Sequence, residues 1–166
     1  LIVQLADTFA LPLEPLREDQ MDLILESPKD GVQGSLFLQT ARRVLESFDC
    51  KPELRRFLPA TMPTLYVMSS EVQFLRQVQS AQEGGGMFSG ALASLLDGVE
   101  SRFLSTLYLN QNSPLIQRLL ESPSKTLLQT MAQILYVQAL LAGGHPLRSS
   151  ELKVLNQALL QLVNNI

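Results

Sequence analysis

His145, Cys50, Ser89 and a scatter of carboxylates are the side chains here that could attack a substrate, move a proton or hold a metal. His145 is the sole histidine and lies between Gly144 and Pro146, in what reads as a turn. Zinc needs three or four nitrogen, sulfur or carboxylate ligands, and one histidine with one distant cysteine falls short unless carboxylates assist. A Cys50–His145 pair would have to be assembled by the fold, since nothing local couples the two. Gly86-Met87-Phe88-Ser89-Gly90 lacks the spacing of a nucleophile elbow and sits outside a strand-to-helix turn. Gly84-Gly85-Gly86 has no following Gly-Lys-Ser or Gly-Lys-Thr, so it reads as a hinge rather than a phosphate loop. Glu14, Glu18, Asp19 and Asp22 fall on a predicted exposed face and read as solvation. The expectation is a chain with no active site, cofactor or metal of its own.

Composition points the same way. Of 166 residues, 46% are hydrophobic and 17% charged, below the roughly 25% charged residues usual in globular chains. Such a chain folds, and has much apolar surface to hide. Thirteen basic against sixteen acidic side chains leave a net charge of -3. The two basic pairs, Arg42-Arg43 and Arg55-Arg56, are too few to follow a phosphate backbone. Nucleic acid is not an expected partner. A single cysteine forbids an intramolecular disulfide and fits a reducing, cytoplasmic setting. The longest apolar stretch, Ile134 to Ala142, is broken by Gln138 and falls far short of the roughly 20 residues a membrane helix needs. No membrane partner is expected. The chain opens at Leu1 in mid-pattern, as a piece of a longer protein would.

Helical spacing of Leu1, Ile2, Leu5, Ala6 and Phe9, then Pro12 and Pro15, then Met21, Ile24 and Leu25, predicts helix, edge strand and short helix. Residues 27–34, with Pro28, Gly31 and Gly34, read as a linker, dividing residues 1–34 from a main domain over 35–166. Leu36, Phe37, Ala41, Val44, Leu45 and Phe48 trace one face of a helix over 35–49. Extended runs follow at Glu53–Leu58 and Thr64–Met68, and Phe103–Leu109 reads as a buried strand. Between them, Val72, Leu75 and Val78 support a helix to about Gln82, and Met87 to Leu96 a second short one. The final third is helical: Ser113 ahead of Pro114, Ser122 or Ser124, and Ser149 or Ser150 are the candidate caps of three helices, with Gly143-Gly144 as a stop.

The end of the chain carries the sharpest pattern. Leu152, Leu155, Leu159, Leu162 and Ile166 repeat at three, four, three and four residues, the seam of a coiled coil or helical bundle. The same spacing fits a helix packed on its own domain. In the helix before it, apolar residues including Leu127, Leu128, Met131, Ile134, Leu135, Val137, Leu140 and Leu141 run nearly all the way round. A helix apolar on every side must be covered on every side, and a second copy of the chain is the simplest cover. Four helices, two from each copy, would then meet through Leu128, Met131 and Leu135 as well as the seam.

Leu107 to Arg118 (LYLNQNSPLIQR) resembles the strand, Leu-Asn turn and helix of the heat-shock protein 90 chaperone family. Ile134 to Gly144 (ILYVQALLAGG) is similar to the helix that follows in bacterial members, with Val137 in place of an aspartate. Ser150 to Val163, containing LNQALLQLV, resembles their last helix. Thr64-Leu65-Tyr66-Val67 sits at the family's preceding strand, and residues 1–26 resemble the tail of its middle domain. The resemblance is clear over 103–166 and looser before it. Glu71–Gly86 reads as an insertion.

The resemblance implies an α+β fold, with a small mixed or antiparallel three-stranded sheet and a four-helix-bundle dimer interface. It implies a homodimer joined through Leu152, Leu155, Leu159 and Leu162. It also implies contact with unfolded or partly folded client proteins through Met87, Phe88, Leu92 and Leu95, where unbranched methionine adapts to different surfaces. The family's nucleotide-binding domain lies outside this chain. Two other readings stay open: a stand-alone helical adaptor using the same apolar helices, and a small hydrolase using Ser89 or Cys50.

Overall fold

The computed structural model describes residues 24–29, 31–32, 34–68 and 105–164. The elements expected within residues 1–23, the stretch 71–86, and Met87, Phe88, Leu92, Leu95 and Ile166 lie outside them. In order come α1 (Leu36–Glu46), β1 (Cys50–Arg55), β2 (Thr64–Met68), β3 (Ser105–Asn110), α2 (Pro114–Glu121), α3 (Lys125–Ala142) and α4 (Ser149–Asn164). Among the described residues the fold is α+β with one three-stranded mixed sheet.

β3 is the central strand, parallel to β1 and antiparallel to β2. The first strand begins three residues before the expected run, and Pro52 lies inside it, opposite Leu107. Proline cannot donate to a ladder, which confines it to an edge, and β1 is an edge strand. Helix α1 hands over to β1 through Asp49, whose φ of 52° is left-handed, a conformation that aspartate tolerates better than most residues.

Alternation splits the sheet into two faces. Leu54, Tyr66, Leu107 and Leu109 point into the main core, where Phe37, Ala41 and Leu45 of α1 and Leu128, Leu135, Tyr136 and Leu140 of α3 meet them. Leu65, Val67 and Tyr108 point the other way and pack on a smaller cluster of Leu25 and Phe57. Residues ahead of α1 close that side. Glu26 and Arg56 exchange backbone hydrogen bonds of 3.0 and 2.9 Å, and their side chains pair at 3.1 Å.

Asn110, fully buried at the end of β3, organises the corner where β1 and β3 end and β2 begins. Its Nδ2 donates to the carbonyls of Met62 at 2.9 Å and Phe57 at 3.0 Å, and its Oδ1 accepts from the backbone N–H groups of Asn112 at 3.1 Å and Phe57 at 3.2 Å. One amide thus satisfies much of a loop whose backbone groups would otherwise be orphaned. The Leu-Asn turn of the sequence is this fastening.

Helix α2 starts at Pro114 behind Ser113, as expected, although the serine side chain makes no capping bond. Ser124, not Ser122, caps α3 by accepting from Leu127 N. At its other end Gly144 takes a φ of 69°, with His145 N donating to Leu140 O at 2.9 Å and Gly144 N to Leu141 O at 3.1 Å. This is the six-to-one and five-to-two pattern that ends helices at a left-handed glycine.

Candidate interaction surface

Of the reactive candidates, Cys50 and His145 lie among the described residues. Cys50 is fully buried where β1 begins. The His145 ring meets Tyr66 edge-on at 5.3 Å and lies so close over Gly143 that a Cβ there would be 2.8 Å from it. Ser89 is outside the described residues. Among the described residues, no three His, Cys, Asp or Glu side chains gather as metal ligands would. None of the described helices is long and apolar enough to cross a membrane.

What the described surface offers is the outer side of the α3–α4 hairpin, and the way α4 is attached explains why. Glu151, in the first turn of α4, is fully buried. Its Oε1 accepts from Tyr136 Oη at 2.9 Å and from the Arg148 guanidinium at 3.0 and 3.2 Å, and its Oε2 accepts from Arg148 N at 2.8 Å. The Arg148 carbonyl in turn accepts the first helical bonds, from the N–H groups of Glu151 and Leu152. A glutamate reaching back to the residue that opens its helix is half of a capping box. Ser149 stands inside the helix, so the cap expected at Ser149 or Ser150 is supplied by Glu151. Behind the carboxylate, Tyr136 stacks on Phe48 at 4.9 Å.

Further along α4, Ala158 is fully buried and Thr130 Oγ1 donates to Gln161 Oε1 at 2.9 Å. These contacts set the rotation of α4. Polar and small residues face α3, and Leu155 packs partly on the core. The remaining large apolar side chains turn outward: Leu152, Leu159, Leu160 and Val163 are 47%, 45%, 63% and 67% exposed. Leu152, Leu159 and Val163 are seven and eleven residues apart, which is one helix face, and Leu155 and Leu162 lie along its border, half-buried.

Helix α3 has a matching stripe. Leu127, Met131, Ile134 and Leu141 share one side of it; Leu127 and Leu141 are exposed and the middle two half-buried. Helical spacing, with Thr130–Gln161 and Tyr136–Glu151 as fixed points, brings this stripe beside the leucines of α4 on one side of the hairpin. Six of the ten large apolar side chains exposed among the described residues lie on these two helices, so apolar exposure is concentrated here. The polar neighbours of the stripe on α4 include the amide Asn156 and the cation Lys153.

The expected interface residues divide. Leu152, Leu155, Leu159 and Leu162 belong to the outward stripe or its border, and so does Met131. Leu128 and Leu135 do not: both are fully buried inside their own chain, with no area left for a second copy to cover. Helix α1 supplies the cover that the all-round apolar character of α3 had suggested a partner would provide. The outward positions in their place are Leu127 and Ile134, one residue earlier, joined by Leu141. A signal for them was present, since these three residues and Met131 repeat at four, three and seven residues. Among all-round apolar residues that register did not stand out from its neighbours. No protein-family model and no curated protein matches the sequence.

Proposed function

We propose that this chain is the dimerisation and client-contact region of a heat-shock protein 90-like molecular chaperone, non-catalytic in itself. Two copies would join across a two-fold axis by setting their α3–α4 hairpins together as a four-helix bundle. The observation that carries this reading is the pair of adjoining apolar stripes, Leu127–Met131–Ile134–Leu141 and Leu152–Leu159–Val163, left outward by a helix anchored through polar contacts. A helix so attached is complete on one side and uncovered on the other. A two-fold interface asks for one self-complementary patch, and two leucine-rich helices crossing at a shallow angle provide it.

The order of elements supports the chaperone part of the reading. β2, a strand ending in Leu109-Asn110, and three helices stand at the stretches that carry the resemblance. In this proposal Met87, Phe88, Leu92 and Leu95 would face clients in the space between the two arms, in the cytoplasm.

Light scattering across a dilution series tests the interface. The expected mass is near twice 18.4 kDa, and Leu152→Lys with Leu159→Lys should return it to the single-chain value without loss of helical circular dichroism. These positions are preferable to Leu155, which packs partly on the core. A double variant that stays dimeric, or a native chain that is a stable monomer, would overturn the assignment. The second result would move a stand-alone adaptor ahead.

A further inference from the structure

On the side of the hairpin away from the apolar stripe, α3 and α4 meet α1 along a groove of about 370 Å³. Val44 and Phe48 of α1 and Val154 of α4 give it apolar lining, Gln129 an amide wall, and Arg43 and Lys125 its charge. No acidic residue lines it, and neither cation has an ion-pair partner among the described residues. Lys125 also opens α3, with no acidic residue in that turn, so it adds positive charge to the end of the helix that is already positive.

Two other grooves among the described residues each contain an acid of their own. Along β1, a space of about 220 Å³ is lined by Arg42, Lys51 and Arg55, but Glu53 pairs with Lys51 at 2.6 Å and with Arg55 at 3.2 Å. A cleft of about 270 Å³ near α2 holds Lys29 and Arg56 but also Glu121, and Arg56 is paired with Glu26. In a chain of net charge -3, the α1–α3–α4 groove sets two cations, unpaired among the described residues, beside apolar lining and no acid of its own.

We propose that this groove docks an acidic segment of another protein that also carries a large apolar side chain. Its carboxylates would meet Arg43 and Lys125, and its apolar residue would lie on Val44, Phe48 and Val154. Two cations are too few to track a nucleic acid, and the apolar lining has no use for a bare anion. Charge complementarity at the rim with apolar contact at the centre is how peptide grooves combine steering with affinity. The groove does not depend on a second copy of this chain, because it opens on the opposite side from the stripe.

The test is fluorescence anisotropy of the whole chain with a short labelled peptide of alternating Glu and Leu. Binding should weaken by about tenfold when Arg43→Glu and Lys125→Glu are combined, two exposed rim pairs being reversed. The same charge change on another surface, Arg118→Glu with Lys153→Glu, should leave binding within about twofold. Replacing Leu by Ser in the peptide should abolish it. Equal losses in the two double variants, equal binding of the serine peptide, or equal binding of a single-stranded oligonucleotide would each overturn the proposal. Solution mass measured on the same variants keeps the result separate from dimerisation, because a lost dimer with intact peptide binding tells against the stripe alone.

Discussion

Helices α3 and α4 are neighbours in one hairpin, yet their own chain treats them oppositely. Helix α3 is covered by α1, the sheet and α4 on all but its Leu127–Leu141 stripe, and Leu128, Leu135, Tyr136, Val137 and Leu140 reach full burial within one chain. Helix α4 buries fully only Glu151 and Ala158 among its described residues. Its leucines are displaced to the border and the outside. The lesson is that apolar content does not say which side of a helix faces home. A helix attached by a carboxylate, an alanine and a glutamine has its leucines available for another surface.

The contrast yields graded expectations. Leu135→Ala removes a fully buried side chain from the shared core and should destabilise the chain by about 2–5 kcal/mol, read as a denaturant midpoint shift with unchanged slope. If Leu135→Ala cost no more than the truncation of exposed Leu159, the division between an enclosed α3 and an open α4 would collapse. Glu151→Gln keeps the volume but removes the charge that gathers Tyr136 and Arg148. A cost of about 1–3 kcal/mol is expected, with hydrogen exchange rising in α4 before α1 and α3. Uniform exchange across all three helices would mean that α4 is not separately anchored.

The smallest effect belongs to the exposed rim of the sheet. Burial pushes the Glu53 carboxyl up, but Lys51 and Arg55 outweigh it and hold the carboxyl below the usual 4.5. A carboxylate held down in the folded state adds stability that is present above its unfolded value. That contribution fades as pH falls from about 4.5 through the folded value. Lys51→Met should raise the Glu53 midpoint, measured by carboxyl NMR, and slightly flatten the acid limb of the stability curve. An unmoved midpoint would remove Lys51 from this balance.

Periodicity and punctuation made much of the fold legible. The spacing of Phe37, Ala41 and Leu45 located α1, the extended run Thr64–Met68 located β2, and Pro114 and Gly143-Gly144 marked helix ends close to where they fall. These are local effects, since proline and glycine restrict or free the backbone wherever they stand. Pro52 made the start of β1 hard to place, because its tolerance there depends on β1 being at an edge.

The three-and-four spacing on α4 was legible in the sequence, but not the rotation that leaves Leu152 and Leu159 exposed and Leu155 and Leu162 half-buried at the border. Tertiary structure alone decided which sides of α3 are closed, because that depends on α1 arriving from a distant part of the chain. The roles of Glu151 and Asn110 were decided the same way. A buried carboxylate or amide acquires its meaning from partners such as Tyr136, Phe57 and Met62 that only folding brings within hydrogen-bond reach. By itself the sequence determined where helices begin, where they end and that they carry excess apolar surface. Folding determined the rotation of each helix about its axis, and with it which leucines remain outside.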